Sequence, residues 1–142
     1  EQQAEDIKVE KEAYESALAA AKVEFDSRSV ELNDLQNQLS DLKDVHYDQN
    51  MKFQSHKANV EALKYLVESD NAHSNHGPSS RDEYYAALDK LDVLRLERDD
   101  TEIEMGKVEI QIKEIKSIVK EKQDALDNTL NSILLLQTSL GS

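Results

Sequence analysis

Two histidines lie three residues apart in the one stretch of the chain that is rich in turn-forming residues. His73 and His76 occur there with Asp70 close by in sequence. Two imidazoles and a carboxylate can ligate a transition metal, so a metal site in this stretch is one chemical hypothesis. Such residues also meet in glycine-containing loops by chance, and no fourth ligand accompanies them. We therefore expect no bound metal and no cofactor.

Carboxylates are the other abundant chemical group, and neighbours such as Asp99 and Asp100 form pairs. With 30 acidic residues in the chain, such pairs are expected on a solvated surface. The chain has no cysteine, which excludes thiolate ligands and cysteine nucleophiles within it. It also lacks the glycine-rich phosphate-binding motifs and the G-x-S-x-G nucleophile motif. We expect that the protein is not an enzyme.

The net charge narrows the class of partner. The formal charge is −13, and a surface this acidic repels nucleic acid and anionic membranes. The longest aliphatic run, residues 133–136, is far shorter than the roughly 20 residues that cross a bilayer. The expected partners are therefore proteins, with no nucleic acid and no direct membrane insertion. Because the chain begins at Glu1 instead of Met, we expect a processed protein or a segment of a longer one.

Helical periodicity runs through almost the whole sequence. Among 142 residues there are only 3 Gly and 1 Pro, and few breakers mean few turns. Apolar residues recur at heptad positions a and d over residues 3–69, with Ala4 at a, and over residues 81–140, with Tyr84 at a. Residues 70–80 form the predicted turn loop, and Ser80 with Glu83 reads as a capping box that opens the second helix.

Two long heptad seams joined by a short breaker predict an all-α fold in which two long helices form an antiparallel coiled-coil hairpin, an elongated single structural unit. Pairing large with small residues favours a register in which facing residue numbers sum to 154, so that Phe25 faces Thr129 and the turn centres on Gly77. Displacement by one heptad, to a sum of 147, would place Phe25 against Lys122.

Apolar residues outside the seam suggest a second contact surface. Position f should be polar in a two-stranded coiled coil, yet three large residues at consecutive f positions of the second helix are apolar: Leu96, Ile103 and Ile110. A further apolar cluster closes the chain: Ile133, Leu134, Leu135 and Leu136. These are the partner-contact candidates, although scattered surface apolar residues and a well-filled seam end are the alternative interpretations.

Polar residues also interrupt the predicted seam. His46, His56 and Arg98 fall near its middle, where single polar residues often set the register of a coiled coil. A pH switch is the alternative, because His56 would face Arg98 in the favoured register. Protonation of His56 would then lower the melting temperature between about pH 7.5 and 5.5, and His56→Leu would lose most of that drop.

One stretch of the first helix resembles a known family. It comprises Asp48-Gln-Asn-Met-Lys-Phe53, Lys57-Ala58, Ala62, Lys64-Tyr65 and Glu68, joined by Leu94-Arg-Leu-Glu97 in the second helix. These residues resemble the coiled-coil segment of bacterial, membrane-anchored, periplasmic multihaem c-type cytochromes. The haem motif of that family, C-x-x-C-H, does not occur here, so the resemblance implies only a spacer role. Pro78, Arg81 and Glu83 resemble the helical-hairpin subunits of the eukaryotic THO complex.

Two functions follow as expectations. The first is a structural coiled-coil scaffold or spacer that mediates protein–protein assembly within a larger complex, through other helical subunits or through self-association. The alternative is an accessory spacer segment of a periplasmic electron-transfer protein of the c-type cytochrome kind.

Overall fold

Two long helices make up the described part of the chain. The computed structural model describes the backbone of residues 2–73 and 78–141, and the side chains of residues 2–69 and 80–139. Helix α1 spans Gln2–His73, with 72 residues, and helix α2 spans Pro78–Gly141, with 64 residues. The two helices pack against each other as a helical hairpin, and no strand occurs within these ranges. The predicted all-α hairpin is confirmed.

Both helices extend into the stretch that the sequence predicts as a loop. Helix α1 continues through His73, and α2 begins at Pro78. Proline suits the first position of a helix, because its missing N–H would have no partner there and its φ is already helical. Ser80 therefore lies within the first turn of α2, and the capping box that it was predicted to form with Glu83 does not mark the helix start. Gly77, the predicted centre of the turn, lies outside the described residues.

The buried residues occupy the predicted seam. All eight that are most fully buried fall at positions a or d of the two heptad repeats. They are Phe53, Val60, Ala87, Thr101, Val108, Ile112, Ile115 and Ile133. Ala4, the first predicted a position, is exposed. The heptad phase read from the sequence is thus confirmed from Ile7 onward.

The contacts within the hairpin group the chain into two units. That the hairpin forms a single structural unit stays a prediction. Unit 1 combines Glu1–Asn37 with Glu109–Ser142, and unit 2 is the continuous segment Gln38–Val108. Each unit therefore pairs a part of α1 with a part of α2.

In unit 2 the contacts between the helices give a register different from the favoured one. The Nε2 atom of His46 lies 2.8 Å from Oε1 of Glu102, and Arg98 donates to Oδ1 of Asn50 at 3.3 Å. In each pair a residue at heptad position a (His46 or Arg98) lies beside a residue at position e of the other helix (Glu102 or Asn50). They require facing a and d residues whose numbers sum to 147, so Gln49 faces Arg98. The predicted sum of 154 is wrong.

In unit 1 the contacts agree with the same correction. The ammonium of Lys122 lies 3.2 Å from Oε1 of Glu24, the residue next to Phe25. A small groove is also lined jointly by Leu35, Gln111 and Ile115, which places Leu35 close to these residues of α2. Lys122 therefore faces Phe25, a pairing that side-chain volumes disfavour.

The error has a physical cause. Matching large with small side chains is worth little, because conservative changes of shape in a core cost under about 1.5 kcal/mol. A lysine in the seam is also tolerated when its stem packs and its charge reaches water, as the Lys122–Glu24 pair shows. A buried polar group left without a hydrogen-bond partner costs about 1–3 kcal/mol, which is as large as or larger than the packing gain that the volume match offers.

Candidate functional site

Arg98 lies at the centre of a polar cluster in unit 2. Its guanidinium carbon sits 4.2 Å from the centroid of the Phe53 ring, within the range of a cation–π contact. One terminal nitrogen donates to Asn50, and the other donates to Oδ1 of Asp99 at 3.4 Å. Its side chain is 20% exposed. The position-a arginine therefore packs its stem in the seam and satisfies its terminal nitrogens at the edge.

Two polar atoms in this cluster have no hydrogen-bond partner among the described residues. They are Oε1 of Gln49 and Nε of Arg98, and both are buried. One is an acceptor and the other a donor, and they belong to residues that face each other across the seam. Buried polar atoms left without partners cost stability, so the structure retains this layer at an energetic expense.

The two seam histidines have separate partners. His46 contacts Glu102 on the neighbouring helix, and Thr101, which faces His46, donates to the carbonyl oxygen of Glu97 at 3.1 Å. His56 donates through Nε2 to the carbonyl oxygen of Ala87 at 2.8 Å. In the observed register Leu91, and not Arg98, faces His56. The predicted His56–Arg98 pair does not form, and the pH switch loses the contact on which it rested.

Leu96, Ile103 and Ile110 lie on the side of α2 that faces away from α1. All three are more than half exposed, and Ile110 reaches 61%. Residues spaced seven apart on one helix lie on one side of it. We name these three residues the outer stripe. Their role in partner contact stays a prediction, but their side chains are accessible for it.

The apolar cluster at the end of α2 divides between the seam and the surface. Ile133 is only 5% exposed, because it occupies seam position a and packs in unit 1, so it is not available to a partner. Leu136 is half-buried at the following d position. Leu134 and Leu135 are exposed, and Leu130, one turn before Leu134, is exposed as well. Only Leu134 and Leu135 of the predicted cluster remain as surface candidates.

A shallow groove of about 320 Å³ crosses unit 2 on one side of the seam. Its lining residues are Lys52, Ser55, His56, Asn59, Lys90 and Leu94. This groove was not among the sites predicted from the sequence. The available signal was that Lys52, Asn59 and Lys90 all occupy heptad position g, and g residues of antiparallel helices share one side of the seam. The open shape gives no enclosed volume in which a substrate could be held.

The residues weighed as possible metal ligands cannot be placed, because His76 and the side chains of Asp70 and His73 lie outside the described residues. Among the side chains that are described, no three histidine or acidic residues gather as metal ligands would. Neither helix, over its described length, contains a segment apolar enough to cross a membrane.

Comparison with known proteins identifies no relative. No family model matches the chain, and neither a curated protein nor a solved structure matches it.

Proposed function

We propose that this protein is a structural assembly element, a coiled-coil hairpin that binds a helical protein partner through the outer stripe of α2. The observation that carries the proposal is the exposure of Leu96, Ile103 and Ile110 at seven-residue intervals. Large apolar residues repeated along one side of a helix match the spacing at which another helix places its own apolar residues.

The charges beside the outer stripe define the chemistry of the partner. Between Leu96 and Ile110 the chain carries six acidic residues and two basic ones. One of the basic residues, Arg98, turns into the seam. The complement is an amphipathic helix with an apolar side bordered by lysine or arginine, since opposite charges across an interface speed association and set orientation.

The same charges disfavour a second copy of this chain as the partner. Two copies would each bring a formal charge of −13, and like charges placed together across an interface cost free energy. Sedimentation velocity in low and physiological salt tests this directly. If the protein is monomeric at both salt concentrations, the result supports a partner that is a different protein. A dimer that persists at low salt would instead assign the outer stripe to self-association.

The deciding experiment compares two triple variants. Leu96→Gln, Ile103→Gln and Ile110→Gln together should abolish co-purification of the native partner, as identified by mass spectrometry. The matched control changes Val9→Gln, Val23→Gln and Val30→Gln, which remove three exposed apolar residues at the same heptad position of α1. Both variants should keep the helical circular dichroism of the parent, because none of the six residues is buried.

The control variant should retain the partner. Equal loss from both variants would show that binding depends on general surface hydrophobicity and would contradict the proposal, as would full retention by the α2 variant. A synthetic amphipathic helix with leucines at heptad spacing and lysine borders provides a defined probe. Its fluorescence anisotropy should rise with the parent protein and not with the α2 variant.

The spacer role in a periplasmic cytochrome, implied by the resemblance of residues 48–68, stays a prediction. A haem-attachment motif in sequence flanking this chain would support it, and redox-silent spectra of the natively purified complex would count against it.

A further inference from the structure

Polar residues face polar residues in two adjacent layers of unit 2. Gln49 faces Arg98, and His46 faces Thr101, with His46 also in contact with Glu102. We propose that the Gln49–Arg98 layer selects the register of the hairpin against the one displaced by a heptad. This inference concerns how the helices pair and does not depend on the outer stripe.

The displaced register is the one that side-chain volumes alone prefer. It would place Phe53 against Thr101 and Val60 against Leu94. It would also move Arg98 from Asn50, which now accepts its hydrogen bond, to Lys57, the residue seven positions further along α1. A cation would replace an acceptor, and like charges side by side repel.

In the displaced register, three polar seam residues would no longer face or contact the polar groups that they meet in the adopted register. Gln49 would face Met105, and His46 would face Val108 and leave Glu102. Arg98 would face His56, which now donates to the carbonyl oxygen of Ala87. Buried polar groups that lose their hydrogen-bond partners are penalised more heavily than imperfect packing, so the polar layers disfavour this register.

The Gln49–Arg98 layer determines which register the helices adopt. It does not increase the stability of the folded hairpin. Oε1 of Gln49 and Nε of Arg98 are buried without partners even in the adopted register. Polar residues at single seam positions of coiled coils commonly set register at a cost in stability. Replacing both residues with leucine should therefore raise the melting temperature and, at the same time, admit the second register.

Introduced cysteine pairs can report the register, because the chain has no cysteine of its own. Val60→Cys with Ala87→Cys reports the adopted register, since both residues are buried and face each other in unit 2. Val60→Cys with Leu94→Cys reports the displaced one. Intramolecular disulfide formation in the monomer fraction, quantified by mass spectrometry, is the readout.

In the parent background the first pair should close and the second should not. In the Gln49→Leu/Arg98→Leu background, closure of the second pair should rise by at least about fivefold, the population change that removing one buried-polar penalty allows. Unchanged closure of the second pair in that background would overturn the proposal.

A swapped layer provides the matched control. Gln49→Arg with Arg98→Gln keeps a polar pair in the same layer and should keep the adopted register. A gain of the displaced disulfide in this background as well would show that the polar match does not select the register, and the proposal would again fall. Far-UV circular dichroism confirms that each background is folded before oxidation.

Discussion

Lys122 directs its charge out of the seam of unit 1 by pairing with Glu24, with 3.2 Å between Nζ and Oε1. The lysine occupies seam position d, and its side chain is about one third exposed, at 32%. Its alkyl stem thus shares a layer with Phe25 while its ammonium reaches solvent. A cation in a coiled-coil seam is tolerated here because only its methylene groups are required to be buried.

Replacing Lys122 by leucine should stabilise the protein. The ion pair is largely solvated and contributes little, whereas a leucine at this half-buried seam position adds about 1 kcal/mol to the free energy of unfolding. Urea denaturation followed by circular dichroism measures the difference.

Lys120→Leu is the control for that substitution, because Lys120 is exposed on the same helix. It should change the free energy of unfolding by less than about 0.5 kcal/mol. If Lys122→Leu destabilises the protein, then the Glu24 contact contributes more than a surface ion pair normally does.

Two isoleucines of α2 should differ sharply in their contribution to folding. Ile115 is buried in the seam of unit 1, whereas Ile110 is 61% exposed. Ile115→Ala should lower the free energy of unfolding by about 2–5 kcal/mol, and Ile110→Ala by less than about 0.5 kcal/mol. Equal losses in chemical denaturation would place Ile110 in a core and would contradict its assignment to the outer stripe.

Gly106 offers a stabilising substitution. It lies in the interior of α2, and a Cβ added there would meet nothing within 4 Å. Glycine inside a helix is less favourable than alanine by about 1 kcal/mol, because it loses more backbone freedom on folding. Gly106→Ala should therefore raise the urea midpoint, and a lower midpoint would reveal a close approach that the structure does not contain.

Salt should stabilise the hairpin. At a formal charge of −13 the folded chain repels itself, and raising the ionic strength from 0.01 to 0.15 M shortens the screening length from about 30 to about 8 Å. The melting temperature should rise over this range in sodium chloride. A fall would mean that the ion pairs outweigh the net repulsion.

The fold could be predicted from sequence because two of its determinants are local. Heptad spacing places Val108, Ile112 and Ile115 in the seam whichever partner residue faces them. The breaker around Gly77 and Pro78 then limits the chain to one reversal. The helix ends were less predictable, since a proline can begin a helix as readily as follow one.

The pairing of the helices could not be predicted from the same pattern, because every shift by seven residues preserves it. The choice depends on which polar groups meet. Arg98 donates a hydrogen bond to Asn50 and makes a cation–π contact with Phe53. Lys122 forms an ion pair with Glu24. Comparing side-chain volumes misjudges which layers are favourable, because it treats every side chain as buried. It ignores a charged group that reaches solvent at the edge of the seam.

The division into units has a consequence for the order in which the chain folds. Unit 2 is one continuous segment, Gln38–Val108, whereas unit 1 joins two segments that the whole of unit 2 separates. Closing a long loop before a short one costs more entropy, so we expect folding to begin in unit 2. During synthesis the first segment of unit 1 precedes its complement. We therefore expect its apolar residues, Phe25, Leu32 and Leu35 among them, to stay uncovered until Glu109–Ser142 has been synthesised. Exposed apolar surface of this kind makes a nascent chain prone to aggregation.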